Sequence, residues 1–320
     1  MKTTSRNFLV ILCLASVALS CNLKKHATPS PTEGKLELYC AESVSPAITQ
    51  MAEEFISLYE KADITVHPVS TRDAIVKLLN NETTVIVSAR PFNQGELDVI
   101  KKYKIDVDTL KVAMDAIIVI VNHDNPIEKI NTDQLRDIFT GKTTLWNKLE
   151  KNFDGRIIPA LESPNSGTVE LFKNRIIGNE KFSKAYPCTT MSHVYSFVRD
   201  NEEAIGLIGA NWLNSGPNIL PSKKPLPKPL MVAEVDSNAI SYVDANSFGS
   251  YYYPYQANIG RRYYPLTHPI YFFSTDFDLG LGAGFMAFAA GNQGQKIFLD
   301  NGLVPMTVPV HYVQLNNHPL

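Results

Sequence analysis

The chain has 320 residues, with 30 lysines and arginines against 32 aspartates and glutamates, and a formal net charge of −2 at pH 7. This balance excludes the strongly basic surface expected of a nucleic-acid-binding protein. Four cysteines are too few for a disulfide scaffold, and the length is sufficient for two lobes of ordinary domain size.

The N-terminus has the pattern of a secretion signal. Lys2 and Arg6 supply a basic region, and residues 8–19 form an apolar run too short for a membrane span of about 20 residues. The run ends in Ala18-Leu19-Ser20-Cys21, which resembles the bacterial lipobox. We expect a lipoprotein signal peptide over residues 1–21, lipidation of Cys21, and anchoring at the periplasmic face of the cell envelope, in either membrane. Cleavage by ordinary signal peptidase, without a lipid, is the alternative.

The segment after the signal is expected to be a flexible tether. Residues 22–34 are rich in Lys, Pro, Thr and Ser, a composition that cannot build a core. Beyond it only Cys40 and Cys188 remain, far apart in sequence. A disulfide is permitted in this compartment, but we favour two unpaired thiols.

From residue 35 onward the pattern alternates between strand and helix, which predicts an α/β fold with mostly parallel sheets and helices on both faces. Residues 214–229 hold five prolines and predict a long loop or edge segment. Helices are predicted at 45–58, 71–79, 94–104, 132–139, 168–177, 191–200 and 283–299, the last broken around Gly291. Strands are predicted at 36–41, 64–69, 84–87, 110–113, 116–121, 157–161, 204–208, 231–235, 270–273 and 308–315.

Four loops that follow predicted strands are polar and rich in hydroxyl groups. In open α/β sheets, ligands bind at the carboxyl ends of the strands. One loop, Ser163 to Thr168, leads directly into a helix, so that Ser166, Gly167 and Thr168 can offer free N–H groups and hydroxyls to an anion; a plain helix cap is the alternative. The other three loops are Glu42-Ser43, Ser70-Thr71-Arg72 and Ser88-Ala89-Arg90.

The two arginines of these loops each allow two interpretations. Arg90 is either a cation of the cleft or a structural partner of an acidic neighbour such as Asp115. Arg72 stands at the start of a helix, where a cation is unfavourable for the dipole, so it either meets a ligand or carboxylate or is simply solvated.

The sequence predicts neither a metal site, nor a cofactor, nor an enzyme. The seven histidines show no pair at ligand spacing, and neither a P-loop nor a dinucleotide fingerprint is present. Ser166 has no Gly-x-Ser-x-Gly elbow and no nearby histidine to activate it.

Several motifs, in order and spacing, resemble the periplasmic phosphate-binding proteins of ABC transporters, especially the lipoprotein forms of Bacteroidetes. The resemblance spans most of residues 35–305. Its motifs are Asp115-Ala116-Ile117-Ile118-Val119-Ile120-Val121-Asn122 with Asn125-Pro126, Asp133-Gln134-Leu135-Arg136-Asp137-Ile138-Phe139-Thr140-Gly141, Asn165-Ser166-Gly167-Thr168, Ala204-Ile205-Gly206 and Tyr264-Pro265-Leu266.

The resemblance implies a type II periplasmic-binding-protein fold, in which two α/β lobes are joined by two hinge strands with the ligand cleft between them. Lobe one would comprise residues 35–118 and 240–320, and lobe two residues 119–239. The family uses the positions of Ser43, Ser88, Ser166, Gly167 and Thr168 as hydrogen-bond donors to phosphate. The implied function is a monomeric solute-binding lipoprotein that captures inorganic phosphate, or a similar oxyanion, for an ABC transporter permease.

Two departures from the family pattern concern charge. Thr84 stands where the family usually has an Asp that accepts the ligand's proton, and Glu162 stands where it has an Arg. A carboxylate ~4 Å from an anion, at an effective dielectric near 20, costs about 4 kcal/mol per charge pair. Three outcomes follow: Glu162 replaces the missing Asp while Arg72 or Arg90 supplies positive charge, Glu162 points out of the cleft, or the ligand is not phosphate.

Two other functions stay open as alternatives. One is a lipoprotein that keeps the fold with a drifted site and serves a signalling or surface role, or binds another solute. The other is a secreted hydrolase that uses Ser166 as nucleophile.

Overall fold

A computed structural model of the chain describes residues 29–219, 221–276 and 280–307. The predicted signal peptide, the lipidation site Cys21, most of the tether and the predicted strand at 308–315 lie outside these residues. No helix among the described residues is both long enough and apolar enough to cross a bilayer.

Strands and helices alternate along the chain as the pattern predicted. The strands are β1 Gly34–Ala41, β2 Ala62–Val69, β3 Val85–Ser88, β4 Asp108–Val121, β5 Lys129–Asn131, β6 Ile158–Leu161, β7 Tyr186–Pro187, β8 Ala204–Gly209, β9 Lys228–Pro229, β10 Met231–Ala233, β11 Thr267–Ser274 and β12 Val304–Pro305. The helices are α1 Ser45–Leu58, α2 Thr71–Leu79, α3 Gln94–Tyr103, α4 Thr132–Phe139, α5 Gly167–Phe172, α6 Met191–Asp200, α7 Ala210–Ile219, α8 Gln256–Gly260, α9 Leu281–Ala290 and α10 Asn292–Asp300.

One continuous strand, β4, runs through both halves of the molecule. The strands follow the order β2-β1-β3-β11-β4-β8-β6-β7, and β4 pairs with β11 up to Ala116 and with β8 from Ile117 onward. The sequence predicted two strands separated near Asp115, and this was wrong. Asp115 stays inside the strand because its Oδ1 accepts the N–H groups of Ala116 at 2.7 Å and Ala210 at 2.9 Å.

The helices cover the sheet with the apolar faces that their spacing predicted. On α1 the residues Ile48, Met51 and Phe55 are all buried. The ring of Phe55 packs edge-on against Phe285 and Phe288 of α9, at centroid distances of 5.6 and 5.4 Å. Each such side chain contributes about 1.5–3 kcal/mol by leaving water.

The loop predicted over residues 214–229 begins later than expected, because α7 extends to Ile219. The N–H of Ala210, the first residue of α7, is held by Asp115 from a distant strand. This tertiary contact is invisible to local sequence patterns.

The prediction of two unpaired thiols is confirmed, since Cys40 and Cys188 are both free and buried.

Candidate functional site

The starts of α2 and α5 meet the end of β3 so closely that only glycine fits between them. A Cβ added at Gly167 would collide with Oγ1 of Thr71 and lie 3.1 Å from Cβ of Ala89. Close approach of this kind is a main reason for glycine at a ligand-facing turn. The two halves of the molecule therefore touch here through residues that the sequence predicted as ligand-binding.

A second close approach lies between β1, β4 and β8. A Cβ at Gly209 would be 2.8 Å from the carbonyl oxygen of Ser43 and 3.1 Å from Oδ2 of Asp115. Ser43 lies in the short turn between β1 and α1, so the contact joins three separate segments. Ser43 and Asp115 thus lie against the same glycine of β8.

Three buried oxygen atoms beside these close contacts have no hydrogen-bond partner among the described residues: Oγ of Ser43, Oγ1 of Thr71 and Oδ2 of Asp115. A buried polar group without a partner costs about 1–3 kcal/mol. Such groups are usually kept for a ligand or for ordered water. We call the buried region formed by Ser43, Thr71, Asp115, Glu162 and Gly167 the cleft pocket.

Two carboxyl groups of the cleft pocket, those of Asp115 and Glu162, have pKa values near neutral pH. Burial raises the pKa of Asp115 to about 7, against the stabilising hydrogen bonds from Ala116 and Ala210. Burial also raises the pKa of Glu162 to about 7; the hydrogen bond from Ser166 opposes this shift, and the nearby carboxylate of Glu42 adds to it. Each group can therefore donate or accept a hydrogen bond.

Glu162 does face the cleft pocket, which excludes the alternative in which it points away. Its Oε2 accepts the hydroxyl proton of Ser166 at 2.7 Å, and both residues are buried. Glu42 contributes from the other half: its Oε1 accepts the N–H of Met191 at 2.9 Å, and burial raises its pKa. Thr168, next to Gly167, is also buried at the start of α5.

His268 stands behind Asp115 as a neutral side chain. Its Nε2 lies 3.9 Å from Oδ2 of Asp115, and burial lowers the pKa of His268 to about 4. Above that pH the imidazole is uncharged, so the contact is not an ion pair at neutral pH. His268 therefore places no positive charge beside Asp115 that would favour the ionised carboxylate.

Arg90 is not a free cation of the cleft, and its partner is not Asp115. Its Nη1 and Nη2 donate to both oxygens of Glu96 at 2.8 Å, and its Nε donates to Glu170 of α5. The hydroxyl of Ser88 donates to the carbonyl of Arg90 at 2.6 Å, so it is already engaged in the local turn. Both residues are buried beside the cleft pocket rather than presented to it.

The structure also places Arg72 and Thr84. Arg72 is exposed and lines surface grooves with Asn93, so its guanidinium lies outside the cleft pocket, although its N–H donates to the carbonyl of Asn165 at 3.3 Å. Thr84 precedes β3, and its carbonyl accepts the N–H of Thr275 at 2.9 Å. It lies about 13 Å along the strand from Ser88. Thr84 therefore stands at the opposite end of β3 from Ser88.

A third arginine, Arg175, was missed by the sequence analysis. It lines a cavity of about 270 Å³ with His268, donates from Nη1 to the carbonyl of Thr267 at 3.1 Å, and stacks on the ring of Tyr242 at 4.1 Å. The cavity adjoins the cleft pocket through His268, whose Nε2 lies 3.9 Å from Oδ2 of Asp115. Asp115 was also missed as a site residue, although a carboxylate in the middle of an apolar strand was a readable signal.

Within the described residues, His, Cys, Asp and Glu form no cluster that could hold a metal ion.

Two α/β halves that share a strand and close over a buried polar pocket define a two-lobed, type II solute-binding protein. The family follows from the comparison with known domains. The model of the PBP superfamily domain matches residues 25–293, and the chain belongs to this superfamily.

The relatives and structural neighbours agree with that assignment. The chain is 24% identical over 261 residues to the phosphate-binding protein PstS of Staphylococcus epidermidis, covering 80% of this chain and 74% of the relative. It is 26% identical over 175 residues to PstS of Staphylococcus aureus, covering 54% of this chain and 53% of the relative. These relatives confirm the resemblance seen in the motifs.

Two solved structures share the fold. One, from Clostridium perfringens, is assigned as a phosphate ABC transporter substrate-binding protein and holds phosphate; it has a TM-score of 0.70 at 19% identity, over 85% of this chain and 100% of that one. An ABC-type phosphate transport receptor from Vibrio cholerae has a TM-score of 0.61 at 18% identity, over the same two shares.

Proposed function

We propose that this protein captures inorganic phosphate, or a similar oxyanion, between its two halves and delivers it to the permease of an ABC importer. The observation that carries the proposal is a set of three buried, unpartnered oxygens, those of Ser43, Thr71 and Asp115, beside the close contacts at Gly209 and Gly167. The names of the relatives and of the solved neighbours support phosphate as the ligand. The protein is a binding protein and not an enzyme.

Binding would rely on dipoles and protons rather than on arginine. The hydroxyls of Ser43 and Thr71 and the first N–H groups of α5 would donate to phosphate oxygens. Glu162 and Asp115, with pKa values of about 7, would take up or share protons with the ligand. Sulfate carries no proton at this pH and cannot donate a hydrogen bond to an ionised carboxylate, so it would bind only where both carboxyl groups are protonated and would be the weaker ligand.

Calorimetric titration of the mature chain, stripped of ligand by unfolding and refolding, tests this function. Phosphate and sulfate would be compared between pH 5 and 8. We expect tight phosphate binding and no response to sulfate. Binding of neither anion would refute the proposal and favour a drifted site.

Attachment to the envelope is part of the proposal. Lipidation at Cys21 and a tether over residues 22–34 would hold a monomeric binding protein at the periplasmic face, in reach of its permease. Residues 35–118 and 240–320 would form one lobe and residues 119–239 the other, moving about β4. Metabolic labelling with a radioactive fatty acid is expected to mark the wild type and not Cys21→Ala.

One observation favours the drifted-site alternative. Arg90 is already held by two carboxylates, and Glu162 occupies the position where the family has an arginine. The substitution Glu162→Arg distinguishes the two functions. A large gain in phosphate affinity would mean that the present pocket has drifted, whereas a loss would mean that the carboxyl group belongs to the working site.

A further inference from the structure

The cavity of about 270 Å³ that Arg175 and His268 line, here called the Arg175 cavity, has mainly apolar and aromatic walls. Leu171 belongs to α5 and Tyr271 to β11, so both halves of the molecule contribute to it. A cavity of about 150 Å³ with apolar walls is large enough to bind benzene. The Arg175 cavity therefore admits a ring together with a small polar group. Its apolar and aromatic walls include Ile117, Leu171, Leu266, Pro269, Tyr242 and Tyr271.

One edge of the Arg175 guanidinium is buried without a partner. Its Nη1 donates to the carbonyl of Thr267 at 3.1 Å, and the group lies over the ring of Tyr242 at 4.1 Å from the centroid. Nε and Nη2 are also buried, and neither has a hydrogen-bond partner among the described residues. These two nitrogens form the side of the planar fork that can donate two parallel hydrogen bonds to one anion. The unpartnered edge of Arg175 therefore matches a group with two acceptor oxygens.

The charges around Arg175 leave its positive charge largely uncompensated. Burial lowers the pKa of Arg175 to about 10, so the guanidinium stays charged at neutral pH. The carboxylate of Glu234 and the guanidinium of Arg262 act on it in opposite directions. Glu234 is not hydrogen-bonded to Arg175, because its Oε1 is held elsewhere and its Oε2 is buried without a partner among the described residues. His268 adds no charge, since burial lowers its pKa to about 4.

The backbone that carries Arg175 is a second, independent indication of a ligand. Lys173–Ile177 form a π-helical turn directly after α5, and the N–H of Gly178 donates to the carbonyl of Lys173 at 2.7 Å. Such turns are rare, and they occur frequently at functional sites. Arg175 is the middle residue of this turn.

We propose that the Arg175 cavity binds a small organic acid, a monocarboxylate with a compact apolar or aromatic body. The carboxylate accepts hydrogen bonds from Nε and Nη2 of Arg175, and the body packs against the rings of Tyr242 and Tyr271 and the aliphatic walls. One cation among apolar walls suits a monoanion better than a phosphate dianion, whose second charge would be buried without a partner. The inference goes beyond phosphate capture and does not depend on it.

The test compares three probes by calorimetry on the mature chain at pH 7: benzoate, benzamide and acetate. Benzamide has the shape of benzoate without its charge, and acetate has the charge without the ring. We expect benzoate to bind about tenfold more tightly than either of the other two. It should bind equally well to protein saturated with phosphate, and it should raise the melting temperature.

The substitution Arg175→Lys keeps the positive charge but cannot present two parallel N–H groups. We expect it to reduce benzoate affinity about tenfold and to leave benzamide affinity unchanged, a change of selectivity that a loss of stability alone would not produce. The matched control Arg156→Gln removes an exposed arginine outside the cavity and should leave benzoate binding unchanged. The comparison of probes on the wild type needs no variant, so it holds even if Arg175→Lys folds poorly.

The outcomes separate this inference from the proposed function. If benzoate binds no more tightly than benzamide, if phosphate displaces it, or if Arg175→Lys binds it as the wild type does, the inference is overturned and phosphate capture is unaffected. If benzoate binds as expected and phosphate does not bind, the inference stands and phosphate capture is overturned. If neither benzoate nor phosphate binds, both are overturned.

Discussion

The guanidinium of Arg90 joins the two halves of the molecule, because its Nε donates to Oε2 of Glu170 while Glu96 holds its other two nitrogens at 2.8 Å. Arg90 and Glu96 belong to the β3–α3 segment, and Glu170 belongs to α5. The buried guanidinium of Arg90 thus bonds to Glu96 in its own half and to Glu170 in the other half. Separation of the two halves would break the bond to Glu170.

The substitution Glu170→Gln is expected to weaken phosphate binding about tenfold, mainly through faster release, because the closed state loses a charge-assisted hydrogen bond. Stopped-flow measurement of the dissociation rate checks this. Stability should change little, since Arg90 keeps its bidentate partner. The matched control, Glu96→Gln, should lower the free energy of unfolding by about 3 kcal/mol by leaving a buried guanidinium poorly paired. Equal effects of Glu170→Gln and Glu96→Gln on the dissociation rate of phosphate would contradict the assignment of Glu170 to closure and of Glu96 to stability.

The contact between Gly167 and Thr71 predicts that Gly167→Ala prevents full closure. The added methyl group must displace Thr71 or Ala89, which costs about 1–3 kcal/mol and lowers phosphate affinity about tenfold or more. The melting temperature of the ligand-free protein should stay close to that of the wild type. The double variant Gly167→Ala/Thr71→Gly removes the collision with Thr71 and leaves the tight 3.1 Å contact to Ala89, so it is expected to regain part of the compaction that small-angle scattering detects on ligand addition. Full closure in the single variant would count against a close-packed pocket.

The raised pKa of Glu162 makes the stability of the ligand-free protein depend on pH. The folded-state pKa is about 7 against an ordinary value of 4.5, so the protein gains from the protonated carboxyl below pH 4.5 and loses that gain as pH rises through 7. The full difference is about 3 kcal/mol. Glu162→Gln should therefore be more stable than the wild type at pH 8 and similar to it at pH 4.5, as measured by urea unfolding. A pH-independent difference would show that Glu162 is already ionised or exposed.

Phosphate binding should take up protons. A dianion beside Asp115 and Glu162 raises their pKa further above 7, so at pH 8 we expect uptake of about one proton per phosphate. Calorimetry in buffers of different ionisation enthalpy measures this number. Asp115→Asn should reduce it while keeping an oxygen for the N–H groups of Ala116 and Ala210. Binding without proton uptake in the wild type would mean that neither carboxyl group meets the ligand.

Arg72→Gln is expected to leave phosphate affinity within about twofold, because its exposed side chain is screened by solvent. Titration at low and high salt provides the check. A tenfold loss at both salt concentrations would return Arg72 to the list of ligand contacts.

The sequence patterns predicted the helices and strands well, but they did not predict which charged residues pair with one another. The bounds of α4 and α6 agree with those predicted, Thr132–Phe139 and Met191–Asp200. The partners of Arg90 did not follow, because Glu170 is 80 residues away and no local rule joins them. Asp115 was taken as a break in β4, since a carboxylate in an apolar run argues for a loop unless distant N–H groups hold it. The hydroxyl loops were found because each belongs to a strand end, a local feature.

The continuity of β4 also links the ionisation of Asp115 to the arrangement of the two halves. Asp115 lies one residue before Ala116, the last position of β4 that pairs with β11, and its carboxylate is held by one N–H from its own strand and another from α7. Gly209, which precedes Ala210, pairs with Ile117 of β4, so both N–H groups that hold the carboxylate belong to the segment where the two halves join. Any opening of the halves that strains this segment is expected to change the pKa of Asp115, so the balance between open and closed forms should depend on pH.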